Sequence, residues 1–417
     1  MTATARSSPD AAARARILDE ELPLPVCTLR DAALRANSRA LPAFLAALGD
    51  RCRAEVVLCP HGKTSMVPAL FRRQLEDGCW GITTANAQQT LVAHAAGVPR
   101  VLLANQLVGT AEIEAVVAAL RGDDAFAFAC FADSAEGVRR LAAGAASGGL
   151  ARPLDVLVET GYEGGRCGTR TVDEALAVAR AVAAAPPLRL AGVACYEGLV
   201  QQHAPEVRDE EAAAILRFAV DVARACDAAG LLDDADPVLL SAGGSSFYDL
   251  ALRILARADL SRPARIVIRS GCYLTHDVGF YGPLFAQLAA RDPLARETGL
   301  RFTPALEVWA SVLSVPEPGL AILGAGRRDF GEDAGPPAVV RHARAGAERD
   351  AAALRDARVV RVNDQHAAVA LAEATDVQVG DLVALAPSHP CTTFDKWRAV
   401  HLVDDDVAVL DVLETRF

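Results

Sequence analysis

The stretch CPHGKTSM (59–66) holds Lys63, one of only two lysines in the chain; the other is Lys396. The remaining 40 of the 42 basic residues are arginine. A guanidinium serves well at solvated positions, but it stays protonated and is a poor nucleophile. A lysine kept in a chain that otherwise writes arginine marks a place that needs an amine, so Lys63 reads as a lysine for covalent or proton-transfer chemistry. Two turns of glycine and serine, SAGGSS (241–246) and RSGCY (269–273), can bring backbone N–H groups close to an anion. Either turn alone would serve equally as a tight connection between strand and helix. ETGYEGGRCG (159–168) contributes Arg166, and YEG (196–198) contributes Tyr196, a ring with a hydroxyl to orient a ligand. In PSHPCTTFDKW (387–397), His389 and Cys391 stand two residues apart. On extended chain they would face one side and could share a metal ion, with sulfur favouring zinc. Two donors define no geometry by themselves, and such a pair also arises by chance. Lys396 is assigned either to a carboxylate near that strand or to the surface.

These residues need elements to position them. Between about 55 and 273, short β-rich apolar runs alternate with alanine-rich helical stretches. The predicted strands are 55–61, 79–85, 100–106, 126–132, 154–162, 190–198, 238–244 and 264–273. Helical spacing fills intervening segments such as 109–122 and 171–185. Strands apolar on both faces that alternate with helices form a parallel sheet covered by helices, and eight such units fit a closed (β/α)₈ barrel. After about residue 300 the runs 305–315, 357–371, 380–387, 398–404 and 406–413 are β-rich and joined by Gly, Pro and Asp turns, which predicts a mostly antiparallel β domain. We therefore expect an α/β barrel over 30–290, with 1–29 and 291–417 forming the β domain. In such a barrel, functional groups gather where strands end, and the loops after the seventh and eighth strands are a frequent phosphate site. A lysine after the first strand facing those two turns points to pyridoxal phosphate. Tyr162, Tyr248 and Tyr281 read as rim packing.

Composition bounds the partners. A net charge of −11 disfavours binding to a phosphate backbone, so no nucleic-acid partner is expected. No apolar run reaches the roughly 18–20 residues of a membrane span, and the first residues lack the apolar core of a signal peptide. Ten cysteines without a C-x-x-C pair suit buried thiols in a reducing cytoplasm. The expected protein is cytoplasmic and acts on a small molecule.

The set PHGKT (60–64), GRCG (165–168), YEG (196–198), SAGGSS (241–246), SGCY (270–273) and HPC (389–391), in this order over roughly residues 20–415, resembles the D-serine dehydratase and D-threonine aldolase family. The resemblance implies pyridoxal phosphate enzymes with an alanine-racemase-like barrel and a β domain, usually homodimers, acting on D-amino acids. It implies Lys63 as the cofactor-linked lysine, with Gly243, Gly244, Ser245, Gly271, Cys272 and Tyr273 around the phosphate. Arg166 and Tyr196 would contact the ring and its 3′-oxygen, and His389 and Cys391 would hold the metal beside the substrate's β-hydroxyl. The family's dehydratases look like H-x-C with zinc and its aldolases like H-x-D with a harder ion, so Cys391 favours the dehydratase branch. Leu199 departs from a histidine that often follows Tyr-Glu-Gly in the family, and GAGRRDFGED (324–333) and TTFDKW (392–397) look more like amino-acid deaminases. The expected activity is a dehydratase or deaminase of a D-serine-like 3-hydroxy amino acid, giving a 2-oxo acid and ammonia. The alternatives are an aldolase giving glycine and an aldehyde, a racemase, and a pyridoxal phosphate carrier without turnover. A racemase typically needs a tyrosine from the β domain, and none occurs after Tyr281. A carrier needs neither that domain nor the H-x-C pair.

Overall fold

The computed structural model describes residues 15–232, 237–350, 354, 356–372 and 375–417. Residues 1–14, included in the expected β domain, lie outside them. The chain divides into two compact units, one of residues 36–276, 280–303 and 415–417, the other of residues up to 35 with 277–279 and 304–414.

The first strand among the described residues is β1 (Val26–Arg30), which belongs to the second unit. Eight strands then build the first unit: β2 (Glu55–Leu58), β3 (Ile82–Thr84), β4 (Arg100–Gln106), β5 (Ala127–Ala132), β6 (Leu154–Thr160), β7 (Leu188–Cys195), β8 (Val238–Ala242) and β9 (Ala264–Ile268). They pair in the order β2-β9-β8-β7-β6-β5-β4-β3, and every pairing is parallel. The outer strands also meet. The Trp80 and Thr83 N–H groups donate to the Leu58 and Pro60 carbonyls, each at 2.8 Å, and His61 bridges to Thr83. This is the (β/α)₈ arrangement expected from the sequence.

Each predicted strand lies where the apolar runs placed it, because both faces are covered. All five residues of β8 are buried, as are five of the six in β5. The interior is filled by Cys59, Leu102, Phe131, Leu157, Ala194 and Val267 from different strands. Between strands run helices that include 87–95, 135–148 and 172–183, started by side chains that accept otherwise orphan N–H groups. Asn86 accepts from Gln89 and Ser134 from Gly137, while Thr171 and Glu174 form a capping box. No described helix is long and apolar enough to cross a membrane.

The second unit holds β10 (Leu306–Glu317), β11 (Leu320–Leu323), β12 (Ala338–Arg344), β13 (Ala347–Glu348), β14 (Arg358–Val362), β15 (Ala367–Ala370), β16 (Leu382–Ala386), β17 (Ala399–Val403) and β18 (Val409–Glu414). With β1 they form a sheet ordered β13-β12-β16-β10-β1-β17-β18, and β11, β15 and β14 continue from β10. Among its described strands only β1 and β17 pair in parallel, so the sheet is mostly antiparallel, as expected. Trp309, Val26, Leu382, Val403 and Ile17 form its core. The single run expected over 357–371 is a hairpin, β14 and β15, closed by Asn363 N–H donating to the His366 carbonyl at 2.8 Å. The polar Asn-Asp-Gln-His tetrapeptide makes the turn that the apolar pattern hides.

Candidate active site

Lys63 sits in a short 3₁₀ turn, Gly62–Thr64, just beyond β2. The turn needs glycine at 62, because a Cβ there would lie 2.7 Å from the Phe71 ring and 2.8 Å from Ile82. Two neighbouring strand ends fix its position. The loop after β9 packs directly on it, for a Cβ at Gly271 would lie 2.5 Å from the His61 carbonyl oxygen. Beside it the Cys272 sulfur meets the Thr64 hydroxyl at 3.7 Å. The SGCY turn is therefore docked on the residues either side of Lys63. The amine itself is half-buried and enters no ion pair among the described residues.

After β8 the chain reverses at Gly243, whose φ of +93° is costly for any residue with a Cβ. The Gly243 and Gly244 N–H groups donate to the fully buried Glu197 carboxylate at 3.3 and 2.7 Å. The Ser270 hydroxyl donates to the Gly244 carbonyl at 2.9 Å, which joins the two glycine turns to each other. Ser245 is half-buried beside them. Tyr273 is buried, and its hydroxyl accepts from Gln74 at 3.2 Å.

Tyr196 follows β7, and the Arg166 guanidinium lies over its ring, 4.5 Å from the centroid. Burial pushes the Tyr196 hydroxyl up to about 12, with the Glu197 charge adding to it. Arg269, which sequence reasoning did not single out, is buried and donates to the Ser241 hydroxyl and the Cys195 carbonyl, each at 2.6 Å. Burial holds His61 well below its ordinary pKa, and the charges of Lys63, Arg269 and Arg166 press it further down. Its Nδ1 is buried without a hydrogen-bond partner. One amine, two guanidinium groups, an orphaned imidazole nitrogen and two glycine turns thus converge at one end of the barrel. That set fits a phosphorylated aldehyde: an amine to condense and cations for the anion.

In the second unit, residues 305–403 match the family model described as a putative serine dehydratase domain. Over 399 residues the chain is 29% identical to a D-threonine aldolase from an Arthrobacter species, covering 94% of this chain and 91% of that protein. The crystal structure of D-threonine aldolase from Filomicrobium marinum superposes with a TM-score of 0.75 at 24% identity, covering 94% of this chain and 95% of that one. D-threo-3-hydroxyaspartate dehydratase from Delftia sp. HT23 gives 0.71 at 21% identity, over 96% and 99%. Over most of its length the chain is thus similar to proteins named as D-threonine aldolase and shares their fold, and its second unit matches the serine dehydratase model.

The family's expected metal pair lies in the second unit. Cys391 opens a one-turn helix, Cys391–Phe394, and Pro390 before it is helical, so the pair does not sit on extended chain as the spacing suggested. The turn still leaves a His389 nitrogen and the Cys391 sulfur within 4.8 Å of each other. His389 Nδ1 lies 3.6 Å from the buried Asp277 carboxylate. Burial opposes charge on His389, but hydrogen bonds to Asp277 and Cys391 and the charges of Cys391 and Asp333 outweigh it and raise its pKa to about 10. The nitrogen beside a sulfur suits a soft cation. The GAGRRDFGED segment braces the pair. Thr392 donates to Asp333 at 2.6 Å, and the Thr393 hydroxyl accepts from Gly331 at 3.0 Å. Lys396 is exposed and enters no ion pair among the described residues, which places it on the surface.

Proposed function

We propose that this protein is a lyase of D-3-hydroxy amino acids that uses pyridoxal phosphate and zinc, eliminates the 3-hydroxyl as water and, with one water returned by hydrolysis, releases ammonia and a 2-oxo acid. The observation that carries this reading is Lys63, a half-buried amine outside any described ion pair and flanked by the docked SGCY turn. Lys63 would bind the cofactor covalently, and Gly243, Gly244, Ser245, Gly271, Cys272 and Tyr273 would surround its phosphate. Arg166 and Tyr196 would meet the ring and its 3′-oxygen. Bound there, the cofactor supplies an electron sink for the pair left on Cα when a bond to it breaks. His389 and Cys391 would hold the metal, a Lewis acid that makes the 3-hydroxyl a better leaving group.

The chain's own groups then have defined tasks. Lys63 Nζ would take the Cα proton of the substrate. His61, held neutral, adds no charge beside that amine and offers Nδ1 as an acceptor. Arg269, fixed by Ser241 and Cys195, holds a positive charge in place without reorganising. A homodimer in the cytoplasm is part of this reading, and the mass of the purified protein by light scattering tests the assembly.

A second reading keeps the same parts but breaks Cα–Cβ, giving glycine and an aldehyde; the 29% identity to a D-threonine aldolase favours it. Cys391, the sulfur ligand, favours dehydration. Incubating the protein, loaded with pyridoxal phosphate and zinc, with D-serine, D-threonine and D-threo-3-hydroxyaspartate separates them. A 2-oxo acid with ammonia supports the dehydratase, and glycine with acetaldehyde from D-threonine moves the assignment to aldolase. Neither product from any of the three overturns both.

A further inference from the structure

The opposite end of the barrel holds a cavity of about 220 Å³ at the amino-terminal ends of the strands. Arg100 begins β4, Arg189 and Arg265 are second in β7 and β9, and Arg152 precedes β6; all four line it, together with Trp80 and Asp155. A chain with a net charge of −11 has thus gathered four arginines around one hollow, with Asp155 the acid among the described lining residues. Two of the four are neutralised. Arg189 grips Asp155 with two bonds, at 2.6 and 2.9 Å, and Arg265 pairs with Glu55 at 2.7 Å. Among the described residues the other two have carbonyl partners and, for Arg100, an aromatic ring. Arg100 donates to the Trp80 carbonyl at 2.9 Å with its guanidinium 4.4 Å from the Trp80 ring centroid, and Arg152 donates to the Phe126 carbonyl. Neither enters an ion pair among the described residues. A carbonyl satisfies one N–H of a guanidinium and leaves its charge and its other donors unmatched.

We propose that this cavity is a binding site for a small dianion of the phosphate monoester kind, separate from the chemistry at the Lys63 end. The two charges without an ion-pair partner among the described residues match a doubly charged ligand, and the planar guanidinium is suited to two parallel bonds to phosphate oxygens. Trp80 and Phe128 add apolar wall for the organic part of the ligand. A neighbouring cavity of about 470 Å³ shares Arg152, Asp155, Arg189 and Phe128, so the hollow has room for more than the anion alone.

The test uses inorganic phosphate on protein already saturated with pyridoxal phosphate, which removes the other end as a competitor. Calorimetry is expected to show one saturable event per chain, with a matching change in Trp80 fluorescence. Arg100→Gln and Arg152→Gln should each weaken that event at least tenfold. Arg139→Gln, which changes an exposed helix arginine elsewhere, should leave it unchanged. Trp80→Phe should remove the fluorescence response and keep the heat. Retained cofactor absorbance and Tm identify variants that still fold, and the two arginine variants are independent of each other. No saturable heat in the parent protein, or equal affinity in folded Arg100→Gln, Arg152→Gln and Arg139→Gln, overturns the site.

Discussion

Gly271→Ala adds one methyl group at the contact that fixes the Lys63 turn. Its Cβ would lie 2.5 Å from the His61 carbonyl oxygen, 2.8 Å from the His61 Cβ and 3.0 Å from its nitrogen, whereas ordinary contact begins at 3.4 Å. The atoms it meets belong mainly to backbone and cannot swing aside, so the two loops must separate by about 0.9 Å. Overpacking of this kind costs about 1–3 kcal/mol. If the separation falls on the Lys63 turn, affinity for pyridoxal phosphate drops about 5- to 150-fold. If it falls on the fold, Tm falls by about 2–4 °C per kcal/mol. Titrating the cofactor-free protein with pyridoxal phosphate and recording Tm on the same samples separates the two. Gly122→Ala is the matched control, since a Cβ there meets nothing within 4 Å; its effect should stay within about 0.5 kcal/mol. A Gly271→Ala protein with parental Tm and parental cofactor affinity would refute the claim that this contact positions the amine.

Three further expectations follow from the two units. Borohydride reduction of the loaded protein should label the peptide containing Lys63, and Lys63→Ala should lose both the label and about 100-fold or more of the lyase rate; a label on Lys396 instead would reassign the amine. Cys391→Asp exchanges a soft donor for a hard one, so zinc retention through dialysis should fall about tenfold or more while manganese-supported activity rises. Unchanged zinc content would remove Cys391 from the ligand set. Asp381 lies buried under Arg344 and His342. Burial pushes its pKa up, but the bonds from Arg344, Gln378 and His342 outweigh this and bring it from 3.8 to about 2. A carboxyl held below its unfolded value contributes stability that is complete above pH 4 and lost as pH falls toward 2, worth about 2 kcal/mol. Urea denaturation across that window should show the loss in the parent and not in Asp381→Asn; the same slope in both would dismiss the assignment.

Strand positions were readable because burial on both faces leaves unbroken apolar runs such as VLLSA and AFACFA. The second unit was less legible, since β14 and β15 merge in sequence across four polar residues that make a turn. Lys63 stood out by rarity. His61, Glu197 and Arg269 lie within PHGKT, YEG and RSGCY, yet a charged residue in a strand-end motif reads as solvated. Their burial, and the bonds that accept or supply charge, exist only once strands far apart in sequence are neighbours. The helical start at Cys391 was hidden for a similar reason, because Pro390 reads as extended chain and the ties to Asp333 and Gly331 come from another loop.

The Lys63 turn stands at the seam where the first barrel strand meets both the second and the last. Cys59 and His61 donate to the Ile268 and Arg269 carbonyls, while Pro60 accepts from Thr83. A nascent chain leaving the ribosome therefore presents the lysine some 200 residues before the segment that braces it. On the proposed role of Lys63, capture of the aldehyde would be a late event in biogenesis, and a shortened polypeptide ending ahead of residue 264 should leave the vitamin in solution.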